Sequence, residues 1–373
     1  MTQQDEFARL DLDPRLLAAV SDLGFTSPTP VQAAAIPVGL AGRDVLGSAA
    51  TGSGKTAAFL LPILNTLLKR PRGATRALVI TPTRELAAQV EQHARELARH
   101  TKLTTASIYG GVSMAPQVNA FQRGVDVMVA TPGRLLDHMG RRHGGLEALE
   151  ILVLDEADRM LDMGFLPDIR RIIGRLPRRP RQTFFFSATL PSSIVKLSRE
   201  MLKDPVTISV ERTKAPAAGV LQAIYEVDQK GKIDLLLRLL RTGDVGNAIV
   251  FTRTKHRANR LAQKLERDGL AVARIHGNRS QNQRTRALQG FKAGRYRVIV
   301  ATDILARGID VQALDHVINF DVPATVDDYI HRVGRTGRAE ATGDAYTFVT
   351  PEDRPLVAAI ERTVGRRIER RVA

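Results

Sequence analysis

The sequence contains no cysteine and no tryptophan, and aromatic residues make up only 5% of it. The lack of cysteine excludes disulfides, thiolate zinc sites, iron–sulfur clusters and cysteine nucleophiles, and it is consistent with a reducing compartment. The scarcity of aromatic rings argues against a protein that holds nucleic acid mainly by stacking bases on aromatic side chains. Contacts to a phosphate backbone suit this composition better.

Long apolar segments are also missing. No run approaches the roughly 18 apolar residues that a membrane-spanning helix needs. The chain starts with MTQQDE, which lacks the basic and apolar regions of a signal peptide. We therefore expect a cytoplasmic protein with no membrane partner.

The chain is long and strongly basic. Its 373 residues are enough for roughly two or three domains, each with its own core. Hydrophobic residues account for 43% and charged residues for 25%, which is close to the average of packed globular proteins. The net charge of +16 predicts an anionic partner.

Short apolar runs rich in valine and isoleucine recur along the chain, and most of them lead into a helix-like stretch. The clearest examples are residues 77–86, 126–135, 248–254 and 297–306. A parallel sheet that is covered on both faces requires continuous apolar runs instead of alternating ones. The repeated pattern therefore predicts an α/β protein with two similar doubly wound parallel-sheet domains in tandem.

The boundary between the halves is predicted near residues 204–220, where proline, glycine and a charged stretch interrupt the pattern. We expect an N-terminal domain over 1–208, a linker over 209–219 and a C-terminal domain over 220–373. Ligands of parallel sheets bind at the carboxyl ends of the strands, where loops converge. The cleft between two such sheet edges is the predicted active site.

Residues 49–56, AATGSGKT, follow a strand-like run and predict a phosphate-binding loop. Glycines let backbone N–H groups wrap around phosphates, Lys55 supplies a positive charge to the β and γ phosphates, and Thr56 can bind Mg²⁺. The general pattern has glycine where this sequence has Ala49, so an ordinary glycine-rich turn is the alternative. The loop residues predicted to bind nucleotide are Thr51, Gly52, Ser53, Gly54, Lys55 and Thr56.

Residues 151–158, ILVLDEAD, end in three carboxylates within four positions. Such crowding of negative charge is costly unless a cation is present. Asp155 at the strand tip is placed to hold Mg²⁺, and Glu156 is placed to orient and deprotonate the attacking water. The alternative is that these acids cap the following helix.

Residues 155–158 read DEAD, and with their surroundings they resemble the DEAD-box RNA helicases. Residues 24–32, GFTSPTPVQ, together with the upstream Phe7, are similar to the adenine-reading motif of that family. The resemblance implies that Gln32 bonds the adenine edge and that Phe7 stacks on it. Phe25 and Thr29 belong to the same motif. Taken without the family, Phe7 is a core residue and Gln32 lies on a helix surface.

The resemblance covers nearly all of residues 7–350 and implies two RecA-like domains. The strings DEADRMLDMGF, VFTRTKH and IHGNRSQ are most similar to the bacterial RhlE-type branch. The tripeptide at 187–189 matches a motif that couples hydrolysis to strand separation, which implies a coupling role for Ser187, Thr189 and Asp158. Without that context, two hydroxyls at a strand end indicate a turn or a helix cap.

Residues 331–338, HRVGRTGR, place four potential cations among glycines. Three arginines with this spacing can approach phosphates closely, and arginine stabilises a transferring phosphoryl group through bidentate contacts. The segment resembles the arginine-finger motif of the family, which implies catalytic roles for His331, Arg335 and Arg338. A solvated basic face is the alternative.

The resemblance also implies a set of RNA contacts. Residues 301–310 are similar to the motif that touches both ligands, with Gly308 and Asp310 at the nucleotide and with Thr302 and Asp303 at the RNA. Without the family, Asp303 caps a helix. The other contacts meet phosphates instead of base edges, which gives binding without sequence preference. They are Pro82, Thr83, Arg84, Gly110, Gly111, Thr131, Pro132, Gly133, Arg134, Arg253, Thr254, His276, Gly277, Gln281 and Arg284. Each of them alone is equally compatible with a plain loop residue.

The activity implied by the resemblance is that of an ATP-dependent RNA helicase, with ATP and Mg²⁺ as cofactors and with single-stranded and duplex RNA as partners. Because Lys55 and Glu156 lie in the first half and Arg335 in the second, the halves are expected to close on RNA before ATP is hydrolysed. Closure would separate a few base pairs locally, without processive movement. The core is expected to act as a monomer in ribosome assembly or RNA turnover.

Two other functions remain open on the sequence alone. An ATP-gated RNA clamp would use the same site without productive unwinding, and a DNA-directed motor is equally compatible with the basic charge. RNA is preferred because the family contacts 2′-hydroxyls. The basic end of the chain, 361–371, is compatible with a helix; an exposed terminal helix is one interpretation, and a supplementary RNA contact is the alternative.

Overall fold

The protein is described by a computed structural model that covers residues 5–49, 52–141, 145–177, 181–210, 220–302, 314–336 and 343–372. The chain divides into two compact units, Met1–Arg212 and Thr213–Ala373. Each unit contains a seven-stranded parallel sheet. The predicted linker lies mostly outside the described residues, and the domain limits stay a prediction.

The first unit alternates strands and helices along the chain. Its strands are β1 Val45–Ser48, β2 Ala77–Ile80, β3 Thr105–Ile108, β4 Val127–Ala130, β5 Ile151–Leu154, β6 Gln182–Ser187 and β7 Val206–Ser209. Its helices are α1 Asp5–Ala8, α2 Pro14–Asp22, α3 Pro30–Leu40, α4 Lys55–Leu67, α5 Arg84–Leu97, α6 Ala115–Arg123, α7 Pro132–Gly140, α8 Ala157–Asp162, α9 Leu166–Arg175 and α10 Ser192–Met201. The strands are arranged in the order β3-β4-β2-β5-β6-β1-β7.

The second unit repeats this pattern. Its strands are β8 Val220–Glu226, β9 Ala248–Phe251, β10 Val272–Ile275, β11 Val298–Ala301, β12 His316–Asn319, β13 Gly343–Val349 and β14 Glu369–Arg371. Its described helices are α11 Lys232–Arg241, α12 Lys255–Arg267, α13 Gln281–Lys292, α14 Val326–Val333 and α15 Arg354–Val364. The sheet order is β10-β11-β9-β12-β13-β8-β14. Each strand of the second sheet occupies the place of the strand seven labels earlier in the first sheet, so the duplicated α/β fold is confirmed.

The continuous apolar runs arise because both faces of each sheet are buried. In β5, Ile151 and Val153 belong to the core on one face, and Leu152 and Leu154 belong to the core on the other. β9 in the second unit divides its side chains between two cores in the same way. A strand buried on both faces has no solvent-facing positions, so its sequence shows no polar alternation.

The basic end of the chain is not one continuous helix. α15 ends at Val364, and Gly365 has a positive φ of 75°. The chain then forms β14, which pairs in parallel with β8 at the edge of the sheet. The expectation of a helix over 361–371 is therefore wrong beyond Val364, because glycine in the left-handed conformation ends the helix.

Parallel strands bring all their carboxyl ends to one edge of the sheet. In the first unit, this edge receives the segments that follow β1, β2, β3, β4, β5 and β6. In the second unit, the segments that follow β9, β10, β11 and β12 lie at the corresponding edge. Most of the predicted site residues lie in these segments. Within the described ranges, no helix is long and apolar enough to cross a membrane.

Candidate active site and RNA-binding loops

The phosphate loop connects β1 to α4, and its backbone requires glycine. Gly52 and Gly54 have positive φ angles of 85° and 93°, a region that residues with a Cβ rarely adopt. A Cβ at Gly54 would lie 2.6 Å from Gln32 Nε2 and 2.7 Å from Thr29 Oγ1. Glycine is therefore required at position 54, because any larger residue would clash with these two side chains. Ala49, where the general pattern has glycine, is buried in the core of the unit.

The predicted adenine-reading segment is bonded to the phosphate loop. Thr29 Oγ1 donates to the carbonyl oxygen of Ser53 at 2.8 Å, and Gln32 Nε2 donates to that of Gly54 at 3.1 Å. Gln32 Oε1 accepts from the backbone N–H of Thr29 at 2.9 Å. Gln32 is therefore buried against the loop and does not lie on an open helix surface, as it would without the family.

The two aromatic residues of this motif have different environments. Phe7 is 4% exposed and belongs to the hydrophobic core of the first unit, which is the position expected of it without the family. Phe25 is 39% exposed. Stacking of Phe7 on adenine stays a prediction.

Lys55 is the first residue of α4, and its ammonium group is buried. The residue is 6% exposed, and Lys55 Nζ has no hydrogen-bond partner among the described residues. A buried ammonium without a partner is costly unless a negative group neutralises it. Phosphate oxygens bound in the loop would supply such a group, so the environment of Lys55 fits its predicted role.

Asp155 and Glu156 directly follow β5, and both are buried. Glu156 has φ 53° and ψ 52°, a left-handed conformation that costs a residue with a Cβ about 1 kcal/mol or more. Glu156 Oε2 accepts from Arg159 Nη1 at 2.9 Å. Although Glu156 stands at the N-cap of α8, its side chain makes no capping bond. Helix capping therefore does not explain this carboxylate.

The carboxyl group of Asp155 lies where negative charge is unfavourable. Burial raises the pKa of Asp155 to about 6; the charge of Lys55 opposes this rise, and the carboxylates of Glu156 and Asp158 add to it. A cation at this position would relieve the repulsion. The electrostatic environment of Asp155 therefore fits a ligand of a divalent cation.

Asp158 joins the DEAD segment to the tripeptide at 187–189. Asp158 Oδ2 accepts from the backbone N–H of Thr189 at 2.7 Å and from Thr189 Oγ1 at 2.9 Å. Ser187 Oγ accepts from the backbone N–H of Asp158 at 3.2 Å and donates to the carbonyl oxygen of Thr189 at 2.6 Å. The three predicted coupling residues thus form one hydrogen-bonded cluster, and their coupling role stays a prediction.

Three loops of the first unit that are predicted to bind RNA lie side by side. A Cβ at Gly111, which has a φ of 81°, would overlap Arg84 Nη1, and a Cβ at Gly110 would lie 3.2 Å from Arg84 Nη2. Arg134 Nη1 donates to the carbonyl oxygen of Val112 at 3.5 Å. The glycines therefore allow the two arginines to lie on one loop. The predicted contacts in these loops are Pro82, Thr83, Arg84, Gly110, Gly111, Thr131, Pro132, Gly133 and Arg134.

The second unit places its predicted RNA contacts after β9 and β10. Thr254 Oγ1 caps α12 by accepting from the backbone N–H of Arg257 at 3.2 Å, and the side chain of Arg253 is 58% exposed. His276 is 1% exposed, and its Nε2 lies 2.8 Å from Asn259 Oδ1. Burial, followed by the charges of nearby arginine and lysine residues, lowers the pKa of His276. Its imidazole is therefore neutral near pH 7 and adds no charge to an RNA site.

The basic segment at 331–338 is not uniformly available to phosphates. Arg332 is 2% exposed, and its Nη1 donates to Asn319 Oδ1 at 3.0 Å and to the carbonyl oxygen of Asp321 at 2.7 Å. Its guanidinium carbon lies 4.9 Å from the ring centroid of Phe251. Arg332 thus stabilises the interior of the second unit, so the expectation that the three arginines approach phosphates does not hold for it.

Other predicted residues of the second unit are distributed along the same sheet edge. Gly277 follows β10, Thr302 follows β11, and Arg284 is buried in α13. Arg335 is buried and His331 is half-buried. Some predicted site residues lie outside the described part of the chain, namely Thr51, Asp303, Gly308, Asp310, Arg338 and the side chain of Gln281.

Comparison with known proteins identifies the family. Residues 29–197 match the family model of DEAD/DEAH box helicases, and residues 231–340 match that of the helicase conserved C-terminal domain. The ATP-dependent RNA helicase SrmB of Escherichia coli is 45% identical over 371 residues, which cover 98% of this chain and 83% of SrmB. The chain belongs to the DEAD-box RNA helicase family.

Further relatives of this DEAD-box protein support the same family assignment. The ATP-dependent RNA helicase RhlB of Pseudomonas syringae pv. tomato is 41% identical over 370 residues, which cover 97% of this chain and 93% of RhlB. The solved structure of S. cerevisiae Dbp5 bound to RNA and ADP BeF3 matches with a TM-score of 0.89 at 32% identity, covering 99% of this chain and 96% of that chain. The two domains are RecA-like. The RhlE-type branch stays a prediction, because these relatives do not distinguish it.

Gln117 supports a predicted RNA-binding loop of this DEAD-box protein, and sequence reasoning does not identify it. Gln117 Nε2 donates to the carbonyl oxygens of Tyr109 at 3.1 Å and Ser113 at 3.2 Å, one on each side of the glycine pair. Its Oε1 lies 3.2 Å from His138 Nε2, and His138 stacks on Phe121 with centroids 4.8 Å apart. A lone glutamine in an amphipathic helix gives no signal of this role.

The residues of the first unit also fit a magnesium ion that is bound together with nucleotide. Among the described residues, no three His, Asp or Glu side chains are grouped to hold a metal ion by themselves. Mg²⁺ usually keeps several waters and binds one or two protein groups together with phosphate oxygens. Asp155, whose pKa is raised, and the hydroxyl of Thr56 in the first turn of α4 could supply these one or two protein groups.

We predict that Asp155→Asn stabilises the nucleotide-free protein at pH 8. The folded-state pKa of Asp155, about 6, exceeds the ordinary value of 3.8, so the folded protein favours the protonated carboxyl group. The stability that this group contributes is complete below pH 3.8 and is lost as the pH rises through 6. The free energy of unfolding in urea should therefore be higher in the variant by about 1 to 3 kcal/mol at pH 8. This difference should shrink towards pH 5.

The matched control for this comparison is Asp137→Asn, because the Asp137 side chain is 63% exposed. Its effect on the free energy of unfolding should be the same at both pH values. An advantage of Asp155→Asn that is equal at pH 8 and pH 5 would contradict burial of the charge as the cause.

Proposed function

We propose that this DEAD-box protein hydrolyses ATP in response to RNA and uses the cycle to open short RNA duplexes locally, without processive movement. The observation that carries the proposal is the buried ammonium of Lys55, which lacks a hydrogen-bond partner among the described residues. It lies at the start of α4 behind a loop whose backbone requires glycine. A bound triphosphate would satisfy this charge.

Each predicted catalytic side chain of the two units has a proposed chemical role. Lys55 and the backbone N–H groups of 52–54 hold the phosphates of ATP. Asp155 and Thr56 would hold Mg²⁺, which supplies neutralising charge at the β and γ phosphates when bound. Glu156 orients the attacking water and accepts its proton, and Arg335 stabilises the negative charge of the transferring phosphoryl group.

RNA binding is proposed for the loops at the carboxyl ends of the strands. Arg84 and Arg134 lie on the glycine loop of the first unit, and Arg253 extends from the second unit with an exposed side chain. Guanidinium and backbone N–H groups bind phosphates without reading bases. A strand held in a bent path by such contacts does not fit a regular duplex, so binding would separate a few base pairs.

The finer cellular assignments rest on the family resemblance. We propose that the protein uses Mg²⁺ with ATP and acts in the cytoplasm as a monomeric core. Ribosome assembly and RNA turnover are the processes we propose for it. The net charge of +16 is consistent with RNA as the anionic partner in either process.

The test is the ATPase rate of the whole chain without nucleic acid and with single-stranded RNA, duplex RNA and single-stranded DNA. All four measurements use one salt concentration, because phosphate contacts weaken steeply with ionic strength. We expect RNA to raise kcat by about tenfold or more and short RNA duplexes to be separated when ATP is present. Slow turnover that RNA fails to accelerate, with ATP-dependent retention of RNA, would indicate a clamp instead. Equal stimulation by DNA would indicate a DNA-directed motor.

We predict that Glu156→Gln abolishes hydrolysis and leaves binding intact. Glutamine keeps the shape of the side chain and an oxygen that can accept from Arg159, but it cannot take the proton of the attacking water. The kcat should fall by about 10² to 10⁴, while fluorescent ATP and RNA bind as in the parent. Glu200→Gln, at an exposed ion pair with Arg170, is the control and should keep full activity. Near-normal turnover in Glu156→Gln would reject Glu156 as the base.

We predict that Arg335→Ala loses RNA-stimulated hydrolysis. Removal of an arginine finger lowers the rate by about 10³ or more, whereas ATP affinity should change little because the phosphate loop is intact. Since Arg335 is buried, circular dichroism must first show that the variant is folded. The exposed Arg267 in α12 offers the control Arg267→Ala, which should behave as the parent. A parent-like rate in Arg335→Ala would reject its role as the finger.

A further inference from the structure

Lys232 is a buried cation of the second unit that has no role in the proposed chemistry. It is the first residue of α11 and is 1% exposed. Its Nζ donates to the carbonyl oxygens of Phe320 and Phe348, both at 3.0 Å. Phe320 directly follows β12, and Phe348 lies near the end of β13. Because lysine is rarely buried to this extent, its position calls for a physical cause.

Two carboxylates complete the surroundings of Lys232. Its Nζ lies 4.0 Å from Asp321 Oδ1 and 3.9 Å from Asp353 Oδ2. Burial lowers the pKa of Lys232, and the two carboxylates oppose this effect. The ammonium is therefore held between the ends of two strands and the turn that precedes α15.

Lys232 occupies the place in the second unit that Lys55 has in the first. β8 lies at the position of β1, and the helix that follows each strand begins with the lysine. Asp321 likewise comes after β12, which corresponds to β5 and its Asp155. In the first unit the ammonium has no hydrogen-bond partner among the described residues, whereas in the second it bonds two carbonyls. The second lysine is thus engaged by the protein itself.

The carboxylates around Lys232 also hold the loop that follows β9. Asp321 Oδ2 accepts from the backbone N–H of Arg253 at 2.9 Å, and Asp321 Oδ1 pairs with Arg257 at 3.0 Å. Asp353 Oδ1 pairs with the guanidinium group of Arg253 at 3.4 Å. The main chain and the side chain of Arg253, a proposed RNA contact, are therefore held by the groups that surround the lysine.

The same strand end holds the helix that leads to the proposed finger. Arg332 in α14 donates to the carbonyl oxygen of Asp321 and to Asn319 Oδ1. The backbone N–H of Arg335 donates to the carbonyl oxygen of Arg332 at 3.1 Å. A shift of residues 319–321 would thus move the loop after β9 and the turn that carries Arg335 together.

We propose that Lys232 is a positioning residue that links RNA binding to phosphoryl transfer within the second unit. By bonding Phe320 and Phe348, it fixes the strand ends from which Asp321 holds Arg253 on one side and Arg332 on the other. Its Nζ is buried and bonded to backbone carbonyls, so the effect we propose is indirect. The proposal rests on the proposed function, since it takes Arg253 as an RNA contact and Arg335 as the finger.

The test uses Lys232→Met in the whole chain. Methionine keeps most of the apolar stem but removes the charge and the three N–H donors. We expect the RNA concentration for half-maximal ATPase stimulation to rise and kcat at saturating RNA to fall, each by about three- to tenfold. The affinity for a fluorescent ADP should stay within about twofold of the parent, because the phosphate loop lies in the first unit. Lys264→Met, at a half-exposed lysine of α12, is the control and should match the parent in all three values.

The RNA concentration for half-maximal stimulation and the kcat at saturating RNA together show whether Lys232 positions both Arg253 and Arg335. A purely structural or local effect would not change both values. A folded Lys232→Met with parent values of both would overturn the proposal, and so would a changed RNA concentration with an unchanged kcat, because the link to α14 would then be absent. If the single variant fails to fold, Lys232→Met with Asp321→Asn removes the lysine together with one of the two carboxylate charges that face it, so that less buried negative charge is left uncompensated. The same two changes are expected in it, and parent values in that folded variant would overturn the proposal.

The parent protein distinguishes failure of the inference from failure of the proposed function. If RNA does not stimulate the parent, the proposed function fails and the inference fails with it. If RNA stimulates the parent and the folded Lys232→Met responds identically, only the inference fails.

Discussion

The structure of the first unit depends on charges that are buried at one edge of a parallel sheet. Lys55 is held there without a hydrogen-bond partner among the described residues, and burial raises the pKa of Asp155. Both conditions are unfavourable without a ligand, and the proposed nucleotide with its cation would relieve both at once. Glu156 also holds the left-handed backbone conformation at this edge of the sheet. Ligand binding would thus be favoured at the place of the proposed chemistry.

The second unit repeats the topology of the first, but its buried lysine is stabilised by groups of the protein itself. Its lysine at the start of α11 is bonded to strand-end carbonyls, and Asp321 is bonded to Arg253 and Arg257. Nothing in this arrangement needs a phosphate. The duplicated fold therefore carries one proposed nucleotide site and one polar cluster that is proposed to organise loops, and the difference between them comes from a few side chains at equivalent positions.

The sequence predicted the features whose cause is local. The apolar runs, the phosphate loop and the DEAD segment each lie within about ten residues, so their chemistry is visible without knowledge of the sheet order. The role of Lys232 was not predicted because its Nζ bonds carbonyls 88 and 116 residues away, and only the sheet order brings these together. The partners named above for Gln117 and Arg332 lie within 21 residues, but no motif pairs these residue types. The prediction of a terminal helix over 361–371 was wrong for a local reason, because Gly365 ends the helix.

A basic residue near a proposed phosphate site indicates phosphate binding only if hydrogen-bond acceptors of the protein itself do not already engage its side chain. Arg332 lies in a glycine-rich basic segment, and it donates to Asn319 and to a strand-end carbonyl, as a residue of the interior does. Lys232 likewise donates to strand-end carbonyls, whereas Lys55 Nζ has no hydrogen-bond partner among the described residues. Because an ammonium or guanidinium group that is already saturated with buried acceptors gains little from a phosphate, the net charge of +16 overstates the number of cations that remain for RNA and nucleotide.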